Sequence, residues 1–153
     1  MNNFWKGHNV LITGADGFIG SHLTEKLVSL NANVTALSYY NSRGSNGWLD
    51  QAYQKIPDNL VIKQGDIRDA HFIDGIVDNA TTVFHLSSLI AIPYSYTAYQ
   101  SYIDTNITGL SNLLTSCRRY DIKKIVHTST SEVYGSALYT PIDEKHPLQG
   151  QSP

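Results

Sequence analysis

Residues 10–13, VLIT, form a short apolar run that stops at Gly14, and from Ile19 onward the apolar positions Ile19, Leu23, Leu27 and Leu30 recur at spacings of four, four and three. A continuous run followed by a period near 3.6 predicts a buried strand, a turn and a helix. Asn31 supplies a left-handed helix end. A second short run at 34–37 closes a strand–helix–strand unit, whose parallel strands require a right-handed crossover. Residues 41–59 are polar and contain Gly44, Gly47 and Pro57, which predicts a loop with one helical turn around 48–53. LVIK at 60–63 resumes strand character and ends at Gly65. A weak helix over 70–78, a strand over 82–86, a long helix over about 98–119 and a strand over 124–129 complete the pattern. Strands and helices alternate throughout, which predicts an α/β fold with a parallel sheet covered on both faces.

The long helix carries the clearest period. Ile103, Ile107, Leu110, Leu114 and Cys117 repeat at four, three, four and three, and Arg118 and Arg119 place positive charge at its C-terminal end. That stripe is expected to face the core, with Cys117 as a packing residue. Gly109 inside the helix costs about 1 kcal/mol relative to alanine. Close packing against the sheet and simple tolerance both account for it.

Composition narrows the function classes. A chain of 153 residues is long enough for one domain with a real core. Its net charge of −2 leaves no electrostatic footprint for nucleic acid or an anionic membrane. The longest mostly apolar stretch, VFHLSSLIAIP, contains His85, Ser87 and Ser88 and falls short of the roughly 20 residues of a membrane-spanning helix. The single cysteine forms no internal disulfide, and the N-terminus lacks a basic region followed by a sustained apolar stretch, so a cytoplasmic location is expected. No metal site is read.

The chemistry begins at residues 13–20, TGADGFIG, where Gly14, Gly17 and Gly20 follow a strand and open a helix. The first glycine suits a tight turn, the second lets a pyrophosphate approach the backbone, and the third lets helix and strand pack closely. Free N–H groups at the helix start hold the phosphate. A dinucleotide is the natural ligand, with Asp16, Phe18 and Ile19 in the same loop; the alternative is that the glycines serve only a tight turn. An acidic side chain often ends the second strand and binds the adenosine ribose diol. Here that position is Ser38, with Arg43 a few residues on, which leaves NAD and NADP both open.

The motifs TGADGFIGSHL, GDIRD (65–69), VFHLSS (83–88), DTNITG (104–109) and STSEVYG (129–135) occur in one order. Together they resemble the extended short-chain dehydrogenases/reductases, the NAD-dependent epimerase/dehydratase family, whose fold is Rossmann-like. More narrowly, YYNSRGSNGWLD, IAIPYSY and IDEKHPLQGQSP resemble nucleotide-sugar 4,6-dehydratases of the N-acetylglucosamine type. The resemblance covers essentially the whole chain. It implies that Asp66 binds the adenine amino group with Ile67 beside it, that Leu86, Ser87, Ser88 and Thr128 line the cofactor, and that Asn106 braces the active-site strand or touches the cofactor. From the residues alone, Asp66 and Asp69 also read as turn and cap residues, Asn106 as a polar helix residue and the serines as a strand end. His85 reads as a core histidine.

The carboxyl ends of parallel strands border the ligand crevice, and Thr130, Ser131 and Glu132 leave the fifth strand there. Dehydration at C6 needs oxidation at C4, loss of the C5 proton to a base, departure of the C6 hydroxyl and hydride return. By resemblance Glu132 is that base and Thr130 helps polarise O4 beside a tyrosine that a lysine activates. Ser131 stands where the glucose dehydratases carry an acidic group, so the departing hydroxyl must be protonated differently. The family's Y-x-x-x-K pair is expected immediately after Pro153. Tyr120 and Lys124 have that spacing but precede the fifth strand, at the wrong end of the sheet. The chain therefore reads as a truncated enzyme, inactive alone, whose parent takes a UDP- or GDP-linked sugar and forms a homodimer. A 4-epimerase, which needs no C5 base, and a non-catalytic dinucleotide-binding module are the alternatives.

Overall fold

The computed structural model describes residues 3–152; Pro153, the threshold of the expected catalytic helix, lies outside them. Strands β1 (Asn9–Thr13), β2 (Asn33–Tyr39), β3 (Leu60–Gly65), β4 (Thr82–His85) and β5 (Lys124–His127) form one sheet in the order β3-β2-β1-β4-β5. Every pairing is parallel. Alternation along β1 builds both faces. Val10 and Ile12 join Leu27, Val34, Leu49 and Leu60 on one side, and Leu11 joins Leu37, Ile73, Val83, Leu113 and Cys117 on the other. Helix α1 (Phe18–Ser29) follows β1. The strand order reverses beside β1, between its neighbours β2 and β4, so a crevice opens above their carboxyl ends.

The expected helical turn near Trp48 is α2 (Leu49–Ala52), and the weak helix is α3 (Ala70–Val77), capped by Asp69, whose carboxylate accepts from the His71 and Phe72 amides. The long helix differs from its sequence reading. After a short α4 (Ile92–Ser95) the chain makes α5 (Tyr99–Tyr102), a π-helical segment Ile103–Thr108, and only then α6 (Gly109–Arg119). A π turn adds a residue to the repeat and rotates the face that follows. The buried face, however, runs through Tyr102 and then Gly109, Leu113, Ser116 and Cys117, whereas Ile103, Ile107 and Leu114 are exposed. Gly109 settles its own question: a Cβ there would come within 2.8 Å of Ile67 Cγ2, so its bareness is close packing. β5 also differs, because as an edge strand it leaves Val126 and His127 exposed.

At the carboxyl end of β1 the hydroxyl of Thr13 receives the amides of Leu86 and Ser87, each at 3.2 Å, and lies 2.7 Å from Nδ1 of His85. With its lone pairs engaged, the hydroxyl donates its proton to Nδ1, which makes His85 neutral with its proton on Nε2. Burial, and to a lesser degree the stacked His127, push its pKa down to about 4.

Two outcomes follow from this packing. Leu113→Ala should cost about 3 kcal/mol, while Leu114→Ala, one residue on, should stay within about 0.5 kcal/mol, as measured by denaturant unfolding. Equal losses would place both leucines in the core. Because the folded pKa of His85 lies below its unfolded value of 6.5, its contribution is complete above pH 6.5 and is lost as pH falls toward 4. The loss amounts to about 3 kcal/mol. His85→Asn keeps an acceptor for Thr13, so its unfolding midpoint should fall less steeply between pH 6.5 and 4.5 than that of the unaltered chain.

Candidate functional site

The β1–α1 loop occupies the mouth of the crevice. Gly14 has φ +68°, and a Cβ on it would meet the Leu86 carbonyl and the Ser87 nitrogen at 2.8 Å. A Cβ on Gly20 would strike the backbone of Gly14 and Ala15. Gly17 is different: its backbone is extended (φ −76°, ψ 171°), and a Cβ there would only graze the Gly14 carbonyl at 3.4 Å. Packing demands the outer two glycines and leaves the middle one bare. Gly17 also caps α1 without any side-chain hydrogen bond, so the first-turn amides remain available to a phosphate. Phe18 and Ile19, the next two residues, are exposed beside them, with the Phe18 ring against Trp48 at 5.4 Å. This cradle fits a dinucleotide pyrophosphate.

At the ends of β2 and β3 the expected contacts are rearranged. Ser38 is fully enclosed, because β2 runs one residue further, and its hydroxyl has no partner among the described residues. The open position is Tyr39, whose amide donates to Oδ2 of Asp16 at 3.2 Å. Asp66 is clamped by the guanidinium of Arg68 through contacts of 3.0, 3.0 and 2.5 Å, and this partner holds its carboxyl below the usual range. Ile67, expected beside an adenine, is 5% exposed and packs under Gly109. It is a core residue.

On the other side of β1, Asn106 sits in the π-helical segment and uses its whole side-chain amide as a brace. Its oxygen accepts from the Leu89 amide at 2.9 Å and the Ser88 hydroxyl at 3.2 Å, and its nitrogen donates to the Leu89 carbonyl at 3.0 Å. π turns of this kind recur at functional sites. Thr128 continues from β5 with its amide on the His85 carbonyl. The chain then enters a 3-10 turn, Ser131–Tyr134, whose N-cap is Thr130: the Thr130 hydroxyl accepts from the Glu132 amide at 3.2 Å. Glu132, Ser131 and Thr130 are all exposed at the carboxyl end of β5. The loop beyond folds back through the Gln149 amide on the Val133 carbonyl. His146 holds this loop: Nε2 accepts from the Leu138 amide, Nδ1 donates to the Pro147 carbonyl, and Tyr134 and Tyr139 pack on the ring. Periodicity could not flag His146, which belongs to no regular element. Tyr120 bonds Asp74 of α3, and Lys124 opens β5, so that pair lies at the amino end of the strand, away from the crevice. A cavity of about 450 Å³ also lies away from these groups, lined by Asn33, Lys63 and Asn79 among others. Among the described residues no cluster of His, Cys, Asp and Glu could hold a metal, and no helix is long and apolar enough to cross a membrane.

The family model for GDP-mannose 4,6 dehydratase matches residues 11–153. The chain is 34% identical over 146 residues to a putative UDP-glucose 4-epimerase of Methanocaldococcus jannaschii, covering 94% of this chain and 45% of the relative. It is 32% identical over 149 residues to a dTDP-glucose 4,6-dehydratase of an Actinoplanes species, covering 94% and 47%. The solved UDP-glucose 4-epimerase of Stenotrophomonas maltophila, with bound NAD and formylated UDP-arabinopyranose, superposes with a TM-score of 0.82 at 28% identity, covering 95% of this chain and 44% of that one. The chain thus spans about half the length of the curated relatives it matches. The glycine cradle, the parallel sheet and a family-model match from β1 to the last residue agree: this chain belongs to the GDP-mannose 4,6-dehydratase family, within the nucleotide-sugar epimerases and dehydratases of the extended short-chain dehydrogenase/reductase class.

Proposed function

We propose that this chain is the cofactor-binding half of a nucleotide-sugar 4,6-dehydratase that uses NAD and acts on a UDP- or GDP-linked N-acetylglucosamine. The observation that carries the reading is Glu132, an exposed carboxylate on a capped turn at the carboxyl end of β5. NAD, when bound, supplies transient oxidation at C4 and reduction at C6. The residues here hold it and act on the sugar. The bare Gly17 and the uncapped start of α1 bind the pyrophosphate. Asn106 fixes the strand exit that lines the cofactor. Thr130 receives the Glu132 amide on its lone pair and keeps its own proton to donate toward O4. Glu132 takes the C5 proton and hands it to the departing C6 hydroxyl, so that water is lost across C5 and C6. A homodimeric, cytoplasmic full-length enzyme fits this reading. A 4-epimerase is the second reading, favoured by the similarity to named epimerases, and it has no use for a base at Glu132.

Gly17→Val should abolish NAD binding measured by calorimetry while leaving the melting temperature nearly unchanged, since a side chain there meets no backbone closer than 3.4 Å at its Cβ. Retained affinity in a folded variant would dismiss the cradle. In the full-length enzyme, Glu132→Gln should lower 4-keto-6-deoxy product formation by roughly 10²- to 10⁴-fold. The 4-keto sugar should still form, and the C5 hydrogen should no longer exchange with solvent deuterium. Dehydration at the unaltered rate would leave the epimerase reading ahead.

A further inference from the structure

We infer that Asp16, a member of the glycine loop, takes the place of the acidic residue missing from the end of β2 and makes the site selective for NAD over NADP. The inference deepens the dinucleotide reading above and rests on it. The end of β2 has no acid: Ser38 is enclosed, its hydroxyl without a partner among the described residues, and Tyr39 and Tyr40 follow. A carboxylate nevertheless stands there. Oδ2 of Asp16 accepts the Tyr39 amide at 3.2 Å, which fixes the side chain between the start of α1 and the carboxyl end of β2.

The backbone of Asp16 is pinned as well. Its carbonyl accepts the Trp48 amide at 3.0 Å, and Gly47, at φ +59°, lies so close that a Cβ there would collide with that carbonyl. Oδ1 makes no hydrogen bond among the described residues, and no cation pairs with the carboxylate there. The group is therefore a held anion with lone pairs to offer. Two hydroxyls of an adenosine ribose can donate to it, whereas a 2′-phosphate would meet like charge. Two arginines could argue for a phosphate. Arg68 is committed to Asp66, so its charge is already balanced. Arg43 sits in the exposed loop, anchored among the described residues only by its amide on Asn41 Oδ1.

The test uses the 153-residue chain and calorimetric titration with NAD and NADP separately. A hydrogen bond to a charged group carries roughly 10- to 100-fold in affinity, and like-charge rejection of the 2′-phosphate adds to it. The unaltered chain should prefer NAD by about 100-fold or more. Asp16→Asn keeps an acceptor for the Tyr39 amide but removes the charge, so NAD binding should weaken about 10-fold and the preference should shrink to within about threefold. Arg43→Ala should leave the ratio unchanged. Equal affinity of the unaltered chain for both dinucleotides overturns the inference, even if Asp16→Asn fails to fold. So does a folded Asp16→Asn that keeps the full preference, or an Arg43→Ala that loses NADP alone. If neither dinucleotide binds the unaltered chain, the dinucleotide reading falls together with this one. NAD binding without dependence on Asp16 removes only the selectivity role.

Discussion

The site depends on one backbone crossing. Gly14 leaves β1 in a left-handed turn and passes so close to the Leu86 carbonyl and Ser87 amide that no Cβ fits between them. That approach sets how far the carboxyl ends of β1 and β4 can part. Thr13 fastens it from beneath, with its hydroxyl shared among two amides of the β4 exit and a buried, neutral histidine. An unpaired buried polar group costs about 1–3 kcal/mol, so every partner here is needed by the others. A ligand entering above meets a floor whose dimensions are fixed by main chain on both sides.

The two flanks of the crevice are held by different means. Toward β2 and β3 the devices are main-chain closeness and fixed charge: the glycine loop, Asp16 on the Tyr39 amide, and Asp66 locked to Arg68. Toward β5 they are side-chain amides and hydroxyls: Asn106 around Leu89, and Thr130 under Glu132. The first flank is rigid before any ligand arrives. The second leaves Thr130 and Glu132 exposed on a short turn, where small adjustments cost little.

Much of the fold was legible because β1 and β2 are short, mostly apolar runs and α1 keeps a helical spacing, although its buried face, Gly20, Ser21, Thr24 and Leu27, is not the apolar stripe that starts at the exposed Ile19. The glycine cradle was legible because its spacing has a mechanical meaning. The long helix carries an apolar stripe that is not its buried face. The buried face runs one residue ahead of the apolar stripe, through Tyr102, Gly109, Leu113 and Ser116, so Leu113 rather than Leu114 enters the core. Ser38 and Ile67 were placed by analogy with an open strand end, and tertiary packing closed over both. His146 left no signal, because a loop organised around one imidazole has neither period nor turn motif.

The two tryptophans pack in different parts of the fold. Trp48 leans on Phe18 at the start of α1, above the glycine cradle, while Trp5 packs on Phe84 alongside β4. Their emission therefore reports on different events. Quenching or a spectral shift from Trp48 follows occupancy of the crevice, and the environment of Trp5 changes only when the sheet itself comes apart. A single-tryptophan chain retaining either one separates ligand binding from unfolding by intrinsic fluorescence alone.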